Sequence, residues 1–194
     1  MTGRELILGG QKSGKSRRAE TLAAAWLAAS PSHEAVMVAT AQPWDDEMRE
    51  RIARHRQDRA LRVPGMRTVE EPLALAEAIV AHTAPHTLVA VDCLTLWLTN
   101  SMMPMHDTPG GSATVASPRD AIGALLAALG AARGPVVLVG NEIGLGVIPM
   151  GREVRAFVDA LGRLNQAVAA ACTAEACSTR TPSAIRRNND LSSD

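Results

Sequence analysis

Apolar positions along the chain fall into short unbroken runs, each followed by a stretch with helical spacing. Glu5–Leu8 is a run of strand length that stops at Gly9-Gly10. Ser16–Ala29 is Ala-rich and reads as a helix, broken by Pro31-Ser32. Ala35–Ala39 is a second strand-length run, and Asp45–Arg59 is a charged helix with Met48 and Ile52 on one stripe. Arg62–Glu71, interrupted by Pro64-Gly65, reads as irregular. Leu73–His82 is helical, Thr87–Asp92 is a third strand and Leu94–Met103 is helical. Met105–Pro118 is rich in Gly, Pro, Ser and Thr and reads as a loop or mobile insertion. Arg119–Ala132 is helical, Pro135–Gly140 is a fourth strand, and Arg152–Cys172 is a long helix. The strands are continuous Val/Leu/Ile runs rather than alternating ones, as expected of strands covered on both faces. The alternation predicts an α/β fold with a mainly parallel sheet and helices on both faces.

A chain of 194 residues can enclose one substantial core, so one domain is expected. The formal net charge is zero, which argues against broad nucleic-acid binding. With one Phe, three Trp and no Tyr, aromatic platforms for stacking bases are lacking. Leu6-Ile7-Leu8 is too short for the apolar core of a secretory leader, and no segment approaches the roughly 20 apolar residues of a membrane span. Cys93, Cys172 and Cys177 follow no disulfide or zinc spacing and read as reduced thiols. The expected location is the cytoplasm.

The most informative stretch is Gly9-Gly10-Gln11-Lys12-Ser13-Gly14-Lys15-Ser16, which satisfies G-x-x-x-x-G-K-[ST] between a strand and a helix. In this pattern backbone N–H groups wrap a β-phosphate and the helix N-terminus adds favourable partial charge. Lys15 would reach the β- and γ-phosphates and the Ser16 hydroxyl would bind Mg²⁺. The only two lysines of the chain, Lys12 and Lys15, both lie here, with arginine used everywhere else. A compact ammonium between phosphates is a role that arginine does not fill. The expected fold class is therefore P-loop NTPase-like (RecA-like), with ATP or GTP as substrate. Asp92 ends the run Leu88–Val91, where such a fold places a Mg²⁺-organising carboxylate; the alternative is a helix N-cap.

In Trp44–Arg59 the acids gather at the start and the bases at the end, which suits a helix dipole. His55 lies one turn after Arg51 and is flanked by Arg54 and Arg56. A neutral imidazole among phosphate-holding arginines can attack phosphorus. On these residues alone, a solvated, salt-bridged helix with an incidental histidine explains the stretch better.

Further blocks bear on that choice. They are Ala39-Thr40-Ala41 through Asp45-Asp46-Glu47-Met48 to Arg51-Ile52 and His55-Arg56, then Thr68-Val69-Glu70-Glu71-Pro72, Val91–Asn100, and Asn141–Pro149. With the phosphate loop, in this order, they resemble the bifunctional adenosylcobinamide kinase/adenosylcobinamide-phosphate guanylyltransferase family of cobalamin biosynthesis over roughly residues 5–172. The resemblance implies phosphorylation of adenosylcobinamide by ATP or GTP, then GMP transfer from GTP to that phosphate through a covalent guanylyl-histidine. By its place in the family pattern that histidine is His55. The implied nucleotide contacts are Gly9–Ser16, Ala39, Thr40, Ala41, Arg56, Gln57, Asp58, Arg59, Glu70 and Asp92, with Ser16 and Asp92 serving Mg²⁺. The implied assembly is a homo-oligomer, a trimer.

One departure stands out. The family continues past the long helix with an apolar strand, whereas here Thr173–Pro182 and the residues to Asp194 are polar. The expectation is a transferase domain over 1–172 and a disordered tail over 173–194 that adds no strand to the sheet. Two other readings stay open: a P-loop small-molecule kinase with an inert His55, and a nucleotide binder inactivated by its tail.

Overall fold

The computed structural model describes residues 3–103, 117–143, 146, 149–177 and 185–187. The elements in chain order are β1 (Arg4–Gly9), α1 (Lys15–Ala29), β2 (Glu34–Ala39), α2 (Asp46–Arg62), β3 (Met66–Glu70), α3 (Leu75–His82) and β4 (Thr87–Asp92). They continue with α4 (Leu94–Met102), α5 (Pro118–Ala131), β5 (Val136–Asn141), α6 (Arg152–Ala171), β6 (Ala174–Cys177) and β7 (Ile185–Arg187). The sheet has the order β3-β2-β4-β5-β1-β6-β7, parallel except for the β6–β7 pair.

The unbroken apolar runs form the sheet interior because their two faces meet two different helical layers. Leu6, Val89, Val91, Val136 and Leu138 point into a core shared with α3, α4, α5 and α6. The intervening Ile7, Leu88, Ala90, Val137 and Val139 point into a second core with Ala19, Ala23 and Trp26 of α1. The two-residue strand period thus splits one hydrophobic run between two layers. This is the expected α/β arrangement, and among the described residues no helix is long and apolar enough to cross a membrane.

Two readings of the sequence are corrected. Part of the segment read as irregular is β3, an edge strand pairing in parallel with β2 alone. Its sequence, Met-Arg-Thr-Val-Glu, is polar because much of it faces water. Beyond α6, Ala174–Cys177 pairs in parallel with Glu5–Leu8 of β1, so the region after Cys172 does add a strand. Thr173 begins the pairing: its N–H donates to the Arg4 carbonyl at 2.9 Å, and the Arg4 N–H donates to Thr173 Oγ1 at 3.0 Å. The expected loop at Met105–Pro118 lies almost wholly outside the described residues, as does most of the polar tail.

Candidate functional site

The carboxyl ends of β1, β2, β4 and β5 converge where β1 turns into α1. Gly14 caps α1 with φ at +89°, a left-handed conformation that strains any residue carrying a Cβ. No side chain caps α1, and no acid occupies its first turn, so its positive dipole end remains available to an anion.

Lys15 is 7% exposed and folds back over the loop. Its Nζ donates to the Gly10 carbonyl at 2.5 Å and to Ser13 Oγ at 3.4 Å. Burial pushes its pKa down, the neighbouring Cys93 thiol and Asp92 carboxyl oppose this, and the Arg51 charge adds to the lowering. Burial also pushes the Cys93 thiol up to about 11, so at neutral pH it carries no charge and Asp92 is the working counter-ion. A desolvated ammonium with so little compensation is set up to receive polyphosphate oxygens.

Asp92 stands in register with Ala39 of β2 and Val139 of β5. Beside it, Thr40 is fully buried and fastens two strand ends together. Its N–H donates to the Asp92 carbonyl at 3.1 Å. Its hydroxyl donates to the Cys93 carbonyl at 2.7 Å and accepts from the Cys93 N–H at 2.9 Å. Asn100 of α4, also buried, donates to the Thr40 carbonyl at 2.8 Å and to the Pro72 carbonyl at 3.0 Å. At β5, Asn141 N–H donates to Thr95 Oγ1 at 2.8 Å, and Glu142 N–H donates to the Gly9 carbonyl at 3.2 Å.

The second half of the site is α2. Asp45 caps it by accepting from Met48 N–H at 2.7 Å, with Asp46 and Glu47 in the first turn and Arg59 and Arg62 in the last. Arg51, His55 and Arg59 recur every fourth residue and share one face. At one end of it the Arg51 charge reaches Lys15. At the other, Arg59, 5% exposed, meets Glu20 of α1, 3% exposed. Half-buried His55 lies on this face, one helical turn from Arg51 and one from Arg59.

The expected site residues fall into three groups. Gly9–Ser16 form the phosphate loop itself, Asp92 acts on its Lys15, and Ala39 and Thr40 are joined to Asp92, the one by strand register and the other by a hydrogen bond to its carbonyl. Ala41, Arg56 and Glu70 line an adjoining cleft of about 250 Å³ with Pro43, Arg49 and Ile52, and Arg56 and Glu70 form an ion pair across it. The remaining three do not line this cleft. Gln57 is exposed, Asp58 pairs with Arg62 at 2.9 Å, and Arg59 is turned into the protein, donating to Thr68 Oγ1 at 3.0 Å. Sequence reasoning gave no role to Glu20, Thr68, Thr95 and Asn100, although the last three lie in the blocks that carry the family resemblance. For Glu20 the available signal was its place as an isolated acid among the buried Ala19, Ala23 and Trp26 of an otherwise apolar stripe.

Among the described residues no group of three or more His, Cys, Asp or Glu side chains could hold a metal alone. Ser16 and Asp92 still suit Mg²⁺, which commonly takes one or two protein oxygens and completes its shell with phosphates and water.

The family model described as cobinamide kinase / cobinamide phosphate guanyltransferase matches residues 5–180. The chain is 47% identical over 170 residues to the bifunctional adenosylcobalamin biosynthesis protein CobP of Pseudomonas aeruginosa, covering 87% of this chain and 88% of the relative. It is 39% identical over 171 residues to the bifunctional adenosylcobalamin biosynthesis protein CobU of Escherichia coli, covering 86% and 90%. The CobU protein of Salmonella typhimurium is 37% identical over the same length and coverage.

Proposed function

The chain belongs to the cobinamide kinase / cobinamide phosphate guanyltransferase family, and from that premise we propose that it runs two reactions at one nucleotide site. In the first, the aminopropanol hydroxyl of adenosylcobinamide attacks the γ-phosphorus of ATP or GTP. The bond from that phosphorus to its bridging oxygen breaks, and nucleoside diphosphate leaves. In the second, a ring nitrogen of His55 attacks the α-phosphorus of GTP and pyrophosphate departs. A phosphate oxygen of adenosylcobinamide phosphate then attacks the same phosphorus, and the P–N bond breaks to free the histidine.

The observation that supports this reading is that His55 shares one face of α2 with Arg51, whose charge acts on Lys15, and with Arg59, which meets Glu20 of α1. A nucleophile must lie near the phosphates that Lys15 holds, and this face supplies that approach. Lys15 offsets charge on the β- and γ-phosphates in both reactions. Mg²⁺, held by Ser16 and Asp92 together with phosphate oxygens, would neutralise further charge there. The cleft between Arg56 and Glu70 adjoins this region and would take the nucleoside portion. A homo-oligomeric, trimeric assembly and a cytoplasmic location complete the reading.

The test is exposure of wild-type protein and His55→Asn to GTP labelled on the α-phosphorus. Wild type should retain label as a phosphoramidate, labile to acid and stable to base, and His55→Asn should retain none while keeping part of its kinase activity. Equal labelling of the two would move the nucleophile elsewhere. No labelling of either would leave a P-loop kinase without the transfer step.

A further inference from the structure

We propose that Glu20 is a positioning residue for guanylyl transfer: from inside α1 it fixes the last turns of α2 through Arg59 and Arg62, and so sets where His55 stands beside the phosphate loop. The proposal rests on the reading of His55 as the nucleophile.

Glu20 is 3% exposed, on the apolar stripe of α1, one turn after Ser16. A carboxylate is removed from water this thoroughly only when cations compensate it. Here two do. Arg62 Nη1 donates to Glu20 Oε2 at 2.8 Å, and Arg59 Nε lies 3.9 Å from Oε1. Arg59 is itself 5% exposed and is held from its other side by Thr68 Oγ1 of β3 at 3.0 Å. Three elements therefore meet at one buried charge cluster: the helix that opens at the phosphate loop, the helix that carries His55, and the edge strand that leads to Glu70.

The spacing makes the cluster relevant to chemistry. Ser16 to Glu20 is one turn of α1, and His55 to Arg59 is one turn of α2. Each reactive group is thus rigidly linked, over about 6 Å of helix, to one partner of the same ion pair. Misplacement of a nucleophile by about 1 Å can cost on the order of 100-fold in rate. The kinase step needs Lys15 and the loop but no group on α2 as nucleophile, so it should tolerate a shift of α2 that guanylylation does not.

Three measurements on the full-length protein test this: the rate of covalent labelling from α-labelled GTP, the kcat of adenosylcobinamide phosphorylation, and the Kd for Mg-GTP. Glu20→Gln keeps size but turns an amide NH₂ toward two guanidinium donors. It should slow labelling at saturating Mg-GTP at least ten-fold, while kinase kcat changes less than about two-fold. Thr68→Val should slow labelling in the same direction by a smaller factor. Because Glu20→Gln leaves Arg59 buried and unpaired, the double variant Glu20→Met/Arg59→Met serves as a packing control. It should recover the melting temperature and still label slowly. Recovery of both melting temperature and labelling in the double variant would overturn the proposal in favour of a purely structural pair. Full-rate labelling of Glu20→Gln at His55 would overturn it while leaving the nucleophile reading intact. Absence of label in wild type would overturn both, and is recognisable because it precedes any comparison of variants.

Discussion

Lys15 illustrates how one side chain can be arranged for a missing charge. Its replacement by alanine should abolish both reactions, whereas Lys12→Ala, at an exposed and variable position of the loop, should do much less; product assays with each nucleotide check this. Burial lowers the Lys15 pKa below the ordinary 10.5. A depressed folded value means that the buried ammonium costs stability at neutral pH, and that this cost disappears as pH rises through the folded pKa. Bound phosphates favour the charged form. The rise in melting temperature caused by GTP should therefore be largest near neutrality and shrink on the alkaline side before pH 10.5 is reached. A thermal-shift series over pH would show it, with Lys15→Ala giving a flatter profile. Cys93 provides a contrasting case. It is buried, with its pKa pushed up to about 11, and should resist alkylation in the native protein at about pH 8.

At the scale of elements, the site depends on how strand ends and helix starts are fastened. Asp45→Ala removes the cap of α2 and should cost about 1 kcal/mol, measured by urea unfolding. Thr40→Val should cost more, roughly 2 kcal/mol, because the buried Cys93 N–H loses its partner and the Cys93 carbonyl keeps only the Trp97 N–H. Thr40→Ser should restore most of that loss. The elements legible in the sequence were those whose signal is local. The phosphate loop needs only its own eight residues, and four strands were visible as apolar runs because both of their faces are covered. β3 was not visible, since an edge strand with exposed side chains has no apolar pattern to display. β6 was hidden for a related reason: Ala-Glu-Ala-Cys is a weak strand former held by the open edge of β1. The Glu20–Arg59 pair was illegible because its partners are far apart in sequence: the apolar stripe of α1 marks Glu20 as an odd acid without naming its cation, and Arg59 reads as an ordinary helix charge.

For the molecule as a whole, the decisive contact is between β1 and β6, the strand that comes directly after α6. With β6 in place, β1 has a parallel neighbour on each side. Deleting residues 173–194 should expose the N–H and C=O groups of Glu5–Leu8, lower the melting temperature and increase aggregation, as followed by light scattering. A truncated protein with unchanged melting temperature would show that β6 contributes little. The same arrangement has a meaning in time as well as in space. Arg4 and Thr173 bind each other across 169 positions of sequence, and the other neighbour of β1 begins at Val136. During synthesis the phosphate loop must wait, attached to a strand with neither partner yet made, until most of the chain has left the ribosome. Non-local pairing of this kind is slow and leaves strand edges open meanwhile. A nascent chain arrested before β5 should therefore fail to bind GTP although it contains every residue of the loop, and competence should appear only once β5 and then β6 emerge.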